Sequence, residues 1–180
     1  MITVEVGREL VAMHVPMPAG VRLSPELPQW VRLAIADAVV LFGRMEQETI
    51  EIAWVLNDAT LKEKLNLART PATETFLAIL TSVEQQEPGS KLDALKSGFT
   101  ALAQERNLIV HGAWTMVDDK PWVVWHKFLK DDDSIIGEYF EAWRFERFTV
   151  KGEHILGMLR RFHDVLEAQT GKKTSAVPRA

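Results

Sequence analysis

The chain reads as mainly α: a helical bundle of four to five helices with a small antiparallel β-meander inserted before the last helix. Three observations predict this. Apolar residues recur three or four apart from Trp30 to about Asn57, the spacing of one face of a helix. Between residues 113 and 142 the pattern changes to short runs rich in Trp, Val, Ile and Phe, separated by acidic turns, which is the signature of a meander. After that the helical period returns and holds to about Gln169.

Residues 1–27 form an arm. Thr3, Val4 and Val6 hint at a short strand, and Pro16, Pro18, Gly20, Pro25 and Pro28 prevent any long element. A helix start is expected near Ser24-Pro25 or at Pro28, since proline suits a first helical turn. The first helix follows, with Ala38, Leu41, Met45, Thr49, Ile52 and Leu56 along its apolar side. A second helical block runs from Thr60 to about Gln86, and Pro71 marks a break or a new first turn. Glu87-Pro88-Gly89-Ser90 reads as a turn with a cap for the next helix, which ends near His111, with Gly112 where a C-cap glycine sits. Ala113 to Val117, Trp122 to Leu129 and Ser134 to Ala142 are the expected strands. The last helix is expected over about Val150 to Gln169, with Ile155, Met158, Leu159, Phe162 and Leu166 on its apolar side. The division expected is an arm at 1–27, a helical domain at 28–170 that includes the β insert at about 113–142, and a flexible basic tail at 171–180.

With 180 residues, 47% hydrophobic and 26% charged, the chain has the make-up of a folded globular domain. A chain of this length buries roughly 70% of its unfolded surface, so it folds without help from disulfides or a structural ion. The longest apolar runs, such as Ala38 to Phe42, fall far short of the roughly 20 residues of a membrane span. Glu5, Arg8 and Glu9 precede any apolar block, so no secretory signal is expected, and a cytoplasmic setting fits. The absence of cysteine excludes thiolate metal sites, cysteine nucleophiles and disulfides. A net charge of −4 excludes a general nucleic-acid coat but not a local phosphate site.

The stretch that carries chemistry is Glu105-Arg106-Asn107-Leu108-Ile109-Val110-His111-Gly112. On a helix, Leu92, Leu95, Phe99, Leu102, Ala103, Ile109 and Val110 share an apolar face, and Arg106 projects from its middle. A guanidinium there is costly unless it is paired or bound to an anion. Asn107 and His111, four apart, lie together on the edge of that face. One fixed cation, one amide and one imidazole therefore meet near a helix end. These are the parts needed to cleave a phosphodiester without a metal. Histidine moves protons, and arginine steadies charge growing on phosphoryl oxygens. The plainer reading of the same residues is structural, with Arg106 paired to a carboxylate and His111 to a carbonyl.

Arg106-Asn107-Leu108-Ile109-Val110-His111 resembles the RNxxxH form of the Arg-x4-6-His motif of HEPN (higher eukaryotes and prokaryotes nucleotide-binding) domains. The resemblance covers roughly Trp30 to Gln169. The Trp-rich segment from Ala113 to Ala142 departs from the minimal members, which lack so large an insert. The resemblance implies a HEPN-like bundle and a metal-independent endoribonuclease, as a toxin or defence effector, with Arg106 and His111 as the catalytic pair. Asn107 matches the polar position beside the arginine, and Arg106 and Asn107 would hold the substrate. It also implies RNA or a nucleotide as partner, a homodimer sharing the active site, and a cognate antitoxin. The alternative within the same family is a non-catalytic nucleotide-binding or protein-interaction scaffold. Glu46 resembles an acidic position on the first helix of some members, although a solvated helix acid is the better reading of it.

No cofactor is expected. The chain has no Gly-x4-Gly-Lys-Ser/Thr loop, no Gly-x-Gly-x-x-Gly and no Gly-x-Ser-x-Gly setting. No metal site is expected either: there is no His-x3-His pair, and His154 and His163 are nine apart on one helix. Trp114, Trp122, Trp125 and Trp143 are expected in a core rather than as base-stacking platforms.

Overall fold

A computed structural model of the chain describes residues 2–6, 9–13, 23–24, 26–86, 92–129 and 132–171. The elements run β1 (Ile2–Val6), β2 (Glu9–Met13), β3 (Leu23–Ser24), α1 (Gln29–Leu56), α2 (Leu61–Leu67), α3 (Ala72–Gln86), α4 (Asp93–His111), β4 (Ala113–Val117), β5 (Lys120–Leu129), β6 (Asp132–Tyr139) and α5 (Ala142–Thr170). The fold is mainly helical, with a small antiparallel sheet before the last helix. The turn expected at Glu87 to Ser90 and the tail beyond Gly171 lie outside the described residues. No helix among the described residues is long and apolar enough to cross a membrane.

The chain makes two compact units, one of Met1–Ala36 with Asn107–Glu146 and one of Asp37–Arg106 with Arg147–Ala180. The first unit holds both sheets. β1 and β2 form an antiparallel hairpin, and β3-β4-β5-β6 form a four-stranded antiparallel sheet. The arm thus supplies an edge strand to the expected meander, pairing Leu23 with Val117 and Ser24 with Met116. Thr115 reinforces this edge through its hydroxyl, which donates to the Ser24 carbonyl at 2.9 Å. β4 turns into β5 at Asp118 and Asp119, whose φ values of 49° and 62° make the two-residue primed turn that matches sheet twist. Asp tolerates that region better than most residues, which is why acids stand here. β5 and β6 pair Val124 with Gly137. A Cβ on Gly137 would stand 2.7 Å from Cζ2 of Trp122, so the indole lies flat over a position that only glycine leaves open.

Trp114, Phe140 and Phe145 build the aromatic core of this unit. Ring centroids lie 5.3 Å apart for Trp114–Phe140 and 4.6 Å apart for Phe140–Phe145. Of the expected core tryptophans, Trp122 is buried and Trp114 and Trp125 are half-buried, but Trp143 is 51% exposed. Trp143 falls outside the core because the last helix begins at Ala142 rather than near Val150. Its indole N–H instead donates to Glu141 at 2.9 Å.

The second unit is helical. Ala38, Leu41, Met45, Thr49 and Ile52 of α1 are buried, as the spacing predicts. Asn57 and Asp58 end α1, with Asp58 at φ 47°. α2 starts on a capping box: the Glu63 N–H reaches the Thr60 hydroxyl, and the Thr60 N–H donates to the Glu63 carboxylate at 2.8 Å. The Thr60 hydroxyl, with the backbone N–H, holds the Glu63 carboxyl below its ordinary value. Phe42, Phe76 and Phe99 lie at the centre of the core, all at most 3% exposed, with Phe76 and Phe99 stacked at 3.8 Å. On α5, Phe148, Ile155 and Leu159 are buried at helical spacing. Gly152 lets Leu41 approach, since a Cβ there would meet Leu41 Cδ2 at 2.7 Å.

Phe99 touches both other rings, so truncation removes two aromatic contacts and opens a cavity. Phe99→Ala is expected to lower unfolding free energy by about 3–5 kcal/mol, read by chemical denaturation with an unchanged m-value.

Candidate functional site

α4 sets the sequence-predicted residues. It is helical because Leu95, Phe99, Leu102, Ala103 and Ile109 supply a continuous apolar stripe without interruption by proline. Phe99, Leu102, Ala103, Leu108 and Ile109 are buried. Arg106 stands in that stripe, half-buried, with its guanidinium 5.6 Å from the centroid of Phe42. A cation over an aromatic face is attracted by the ring quadrupole, which lowers the cost of placing Arg106 there. Beside it, Glu105 takes an ion pair from Arg147 at 3.1 Å. Asn107 and His111 are both exposed, one turn apart on the same side of α4.

His111 is the last residue of α4. The helix stops there for two local reasons. The Trp114 indole N–H, on β4, donates to the Ile109 carbonyl at 3.0 Å and so satisfies one of the last free carbonyls. Gly112 donates to the Leu108 carbonyl at 3.0 Å and leads straight into β4. Gly112 does not take the left-handed backbone of the expected C-cap glycine; among the described glycines that conformation belongs to Gly171 at the end of α5, with φ 67°. Gly112 is needed for space instead. A Cβ there would lie 2.2 Å from Val123 Cγ2 and 2.5 Å from the Leu108 carbonyl oxygen. An exposed imidazole and an exposed amide thus stand one turn apart at the packed end of α4.

A second polar cluster, absent from the sequence reading, lies inside the helical unit. Glu48, Glu51 and His163 are all buried, at 6%, 9% and 0% exposure. His163 Nδ1 is 2.5 Å from Glu48 Oε1 and 4.0 Å from Glu51 Oε2, while its Nε2 is 3.6 Å from Glu167 Oε1. Arg160 Nε stands 3.9 Å from the other Glu48 oxygen, and Gln47 donates to Glu51 Oε1 at 2.7 Å. Among the described residues, Glu48, Glu51 and His163 are the group whose donor atoms lie close enough together, within 4.8 Å of one another, to face a cation. A signal existed: Glu48 falls three after Met45 on the apolar side of α1, and His163 four after Leu159 on that of α5. Both are polar residues at core-facing positions of their helices. Glu46, the first-helix acid that the resemblance singles out, is half-buried and outside this cluster. His154, nine residues before His163 on α5, is exposed, whereas His163 is buried.

No family model, curated protein or solved structure matches this chain.

The two histidines should respond oppositely to truncation. His163→Ala leaves the Glu48 carboxylate buried beside an empty space and is expected to cost about 3–5 kcal/mol. His111→Ala changes an exposed side chain and is expected to stay within about 0.5 kcal/mol of the parent. Urea denaturation of both variants checks this. Gly112→Ala is expected to cost about 1–3 kcal/mol, because a backbone carbonyl cannot turn aside as a side chain would. The same denaturation series measures it.

Proposed function

We propose that the chain is a metal-independent endoribonuclease acting through Arg106, Asn107 and His111. The observation that carries this reading is His111 itself: an exposed imidazole on the last residue of a rigid helix, one turn from an exposed amide and preceded by a guanidinium in an apolar stripe. The resemblance of Arg106 to His111 to the HEPN motif supports the same assignment. An exposed imidazole can take a proton from a ribose 2′-hydroxyl as that oxygen attacks the adjacent phosphate. The bond to the 5′-oxygen of the next nucleotide then breaks, and that oxygen receives a proton. Arg106 supplies positive charge against the phosphoryl oxygens, where it matters most in the transition state. Asn107 orients the substrate by hydrogen bonding.

One histidine cannot readily take one proton and give another in the same step. A two-fold dimer places two copies of the α4 end around one cleft, because an isologous contact presents the same surface twice. The shared cleft then holds two imidazoles and two guanidiniums. A role as a toxin or defence effector, with a cognate antitoxin, belongs to the same proposal, as does a cytoplasmic setting.

The test is cleavage of total RNA by the wild type, His111→Ala and Arg106→Ala. The assay runs in excess EDTA at a temperature where unfolding curves show each protein folded. Wild type is expected to cut, and both variants to lose at least a hundredfold in rate. A strand with 2′-deoxyribose at the scissile position is expected to bind yet resist cleavage, since the nucleophile belongs to the substrate. Intact RNA with the folded wild type would leave a non-catalytic binding domain as the better account, and equal cutting by His111→Ala would overturn the assignment of the chemistry to the end of α4.

A further inference from the structure

We infer that the helical unit binds one linear alkyl chain, of about eight carbons, in an apolar pocket between α3, α4 and α5. This inference does not rest on the ribonuclease reading. The pocket has a volume of about 200 Å³, and no polar side chain among the described residues lines it.

The course of the helices shows how the space arises. α4 and α5 meet at Gly98, where an added Cβ would touch Ile155 Cδ1 at 3.8 Å. From that contact the lining runs back along α4 to Leu95 and Leu92, and forward along α5 to Met158 and Phe162. The pocket is the wedge between those two runs, and α3 closes it from Phe76 to Val83. Phe76 is stacked on Phe99 at 3.8 Å, so the inner end has a packed floor. Lys96 pairs with Glu84 at 2.5 Å, one residue on from Leu95 and Val83, and so ties α4 to α3 beside the pocket. Contacts at both places hold the walls around the space. Native interiors otherwise keep few voids larger than a water molecule.

Dimensions and chemistry together choose the occupant. The walls on α3 and α5 each advance by about two turns, or roughly 10 Å. Spread over that length, the volume gives a cross-section of about 20 Å², the width of a single extended hydrocarbon chain. A lone flat ring would leave part of the length empty. Apolar cavities stay dry and accept apolar guests; one of about 150 Å³ lined by Leu, Ile and Phe takes benzene. A charged or hydrogen-bonding group inside would lose its water and gain no partner, so the polar end of the guest stays outside. The way in follows from burial. Phe76, Ile79 and Leu80 form a buried inner wall, whereas Val83, Leu95 and Met158 are half-buried. Met158 is unbranched and adapts its shape to a guest.

The test titrates the whole chain with hexan-1-ol, octan-1-ol and decan-1-ol, followed by methyl NMR. Octanol is expected to bind saturably at one equivalent. Each buried methylene strengthens binding about fourfold, so Kd is expected to fall about fifteenfold from hexanol to octanol. From octanol to decanol the gain is expected to stop, because the added carbons lie outside. The methyl resonance of Met158 should shift on binding, and that of Met116, buried in β4, should not. Val83→Phe places a ring in the pocket from a half-buried position and is expected to weaken octanol binding at least about tenfold while the unfolding transition stays cooperative. Absence of saturable binding would overturn the site. So would equal shifts at Met158 and Met116, a gain that continues undiminished to decanol, or undiminished binding by folded Val83→Phe. If Val83→Phe does not fold, the chain-length series and the two methionine methyls of the wild type decide alone.

Discussion

The end of α4 is fixed by a missing carbon. At Gly112 a Cβ would collide with Val123 on one side and with the Leu108 carbonyl on the other. Without that atom the chain passes directly from helix to strand, with no loop between His111 and Ala113. Two consequences follow. His111 is held at the last helical position, and Trp114 is brought back to cap the Ile109 carbonyl. The imidazole and the Asn107 amide therefore stand on backbone that is hydrogen-bonded and packed. A catalytic group needs such placement, since small misplacements cost large factors in rate.

The helical unit shows how polar groups are accommodated inside an apolar stripe. Arg106 and His163 occupy comparable positions, each at the period of a buried face, yet their settings differ. Arg106 is half-buried and lies over the ring of Phe42. His163 is wholly enclosed among carboxylates.

Much of this was legible in the sequence. The period of Ala38, Leu41, Met45, Thr49 and Ile52 gave the buried face of α1, and the change of period at Ala113 located the sheet. The second helical block was read from Thr60, which caps α2 through a box with Glu63. The start of α5 was read eight residues late, since Trp143, Phe145 and Phe148 look as much like a strand as like a helix when taken in a short window. β3 could not be read because a two-residue strand owes its existence to the partner edge at Met116 and Val117. The Glu48–His163 contact joins positions 115 apart in the chain, so no local spacing announces it. Gly112 was placed correctly at the end of α4 but for a different reason: its neighbour in space, Val123, is set by strand register, not by helix geometry.

The ends of the RNA fragments test the central claim most directly. A defined oligoribonucleotide treated with the folded protein, its products identified by mass spectrometry, reports which atom attacked the phosphate. Attack by the ribose 2′-hydroxyl predicts a 2′,3′-cyclic phosphate on one fragment and a 5′-hydroxyl on the other, neither formed by folded His111→Ala. A 5′-phosphate paired with a 3′-hydroxyl, or the same products from His111→Ala, would contradict the assignment of the chemistry to the end of α4.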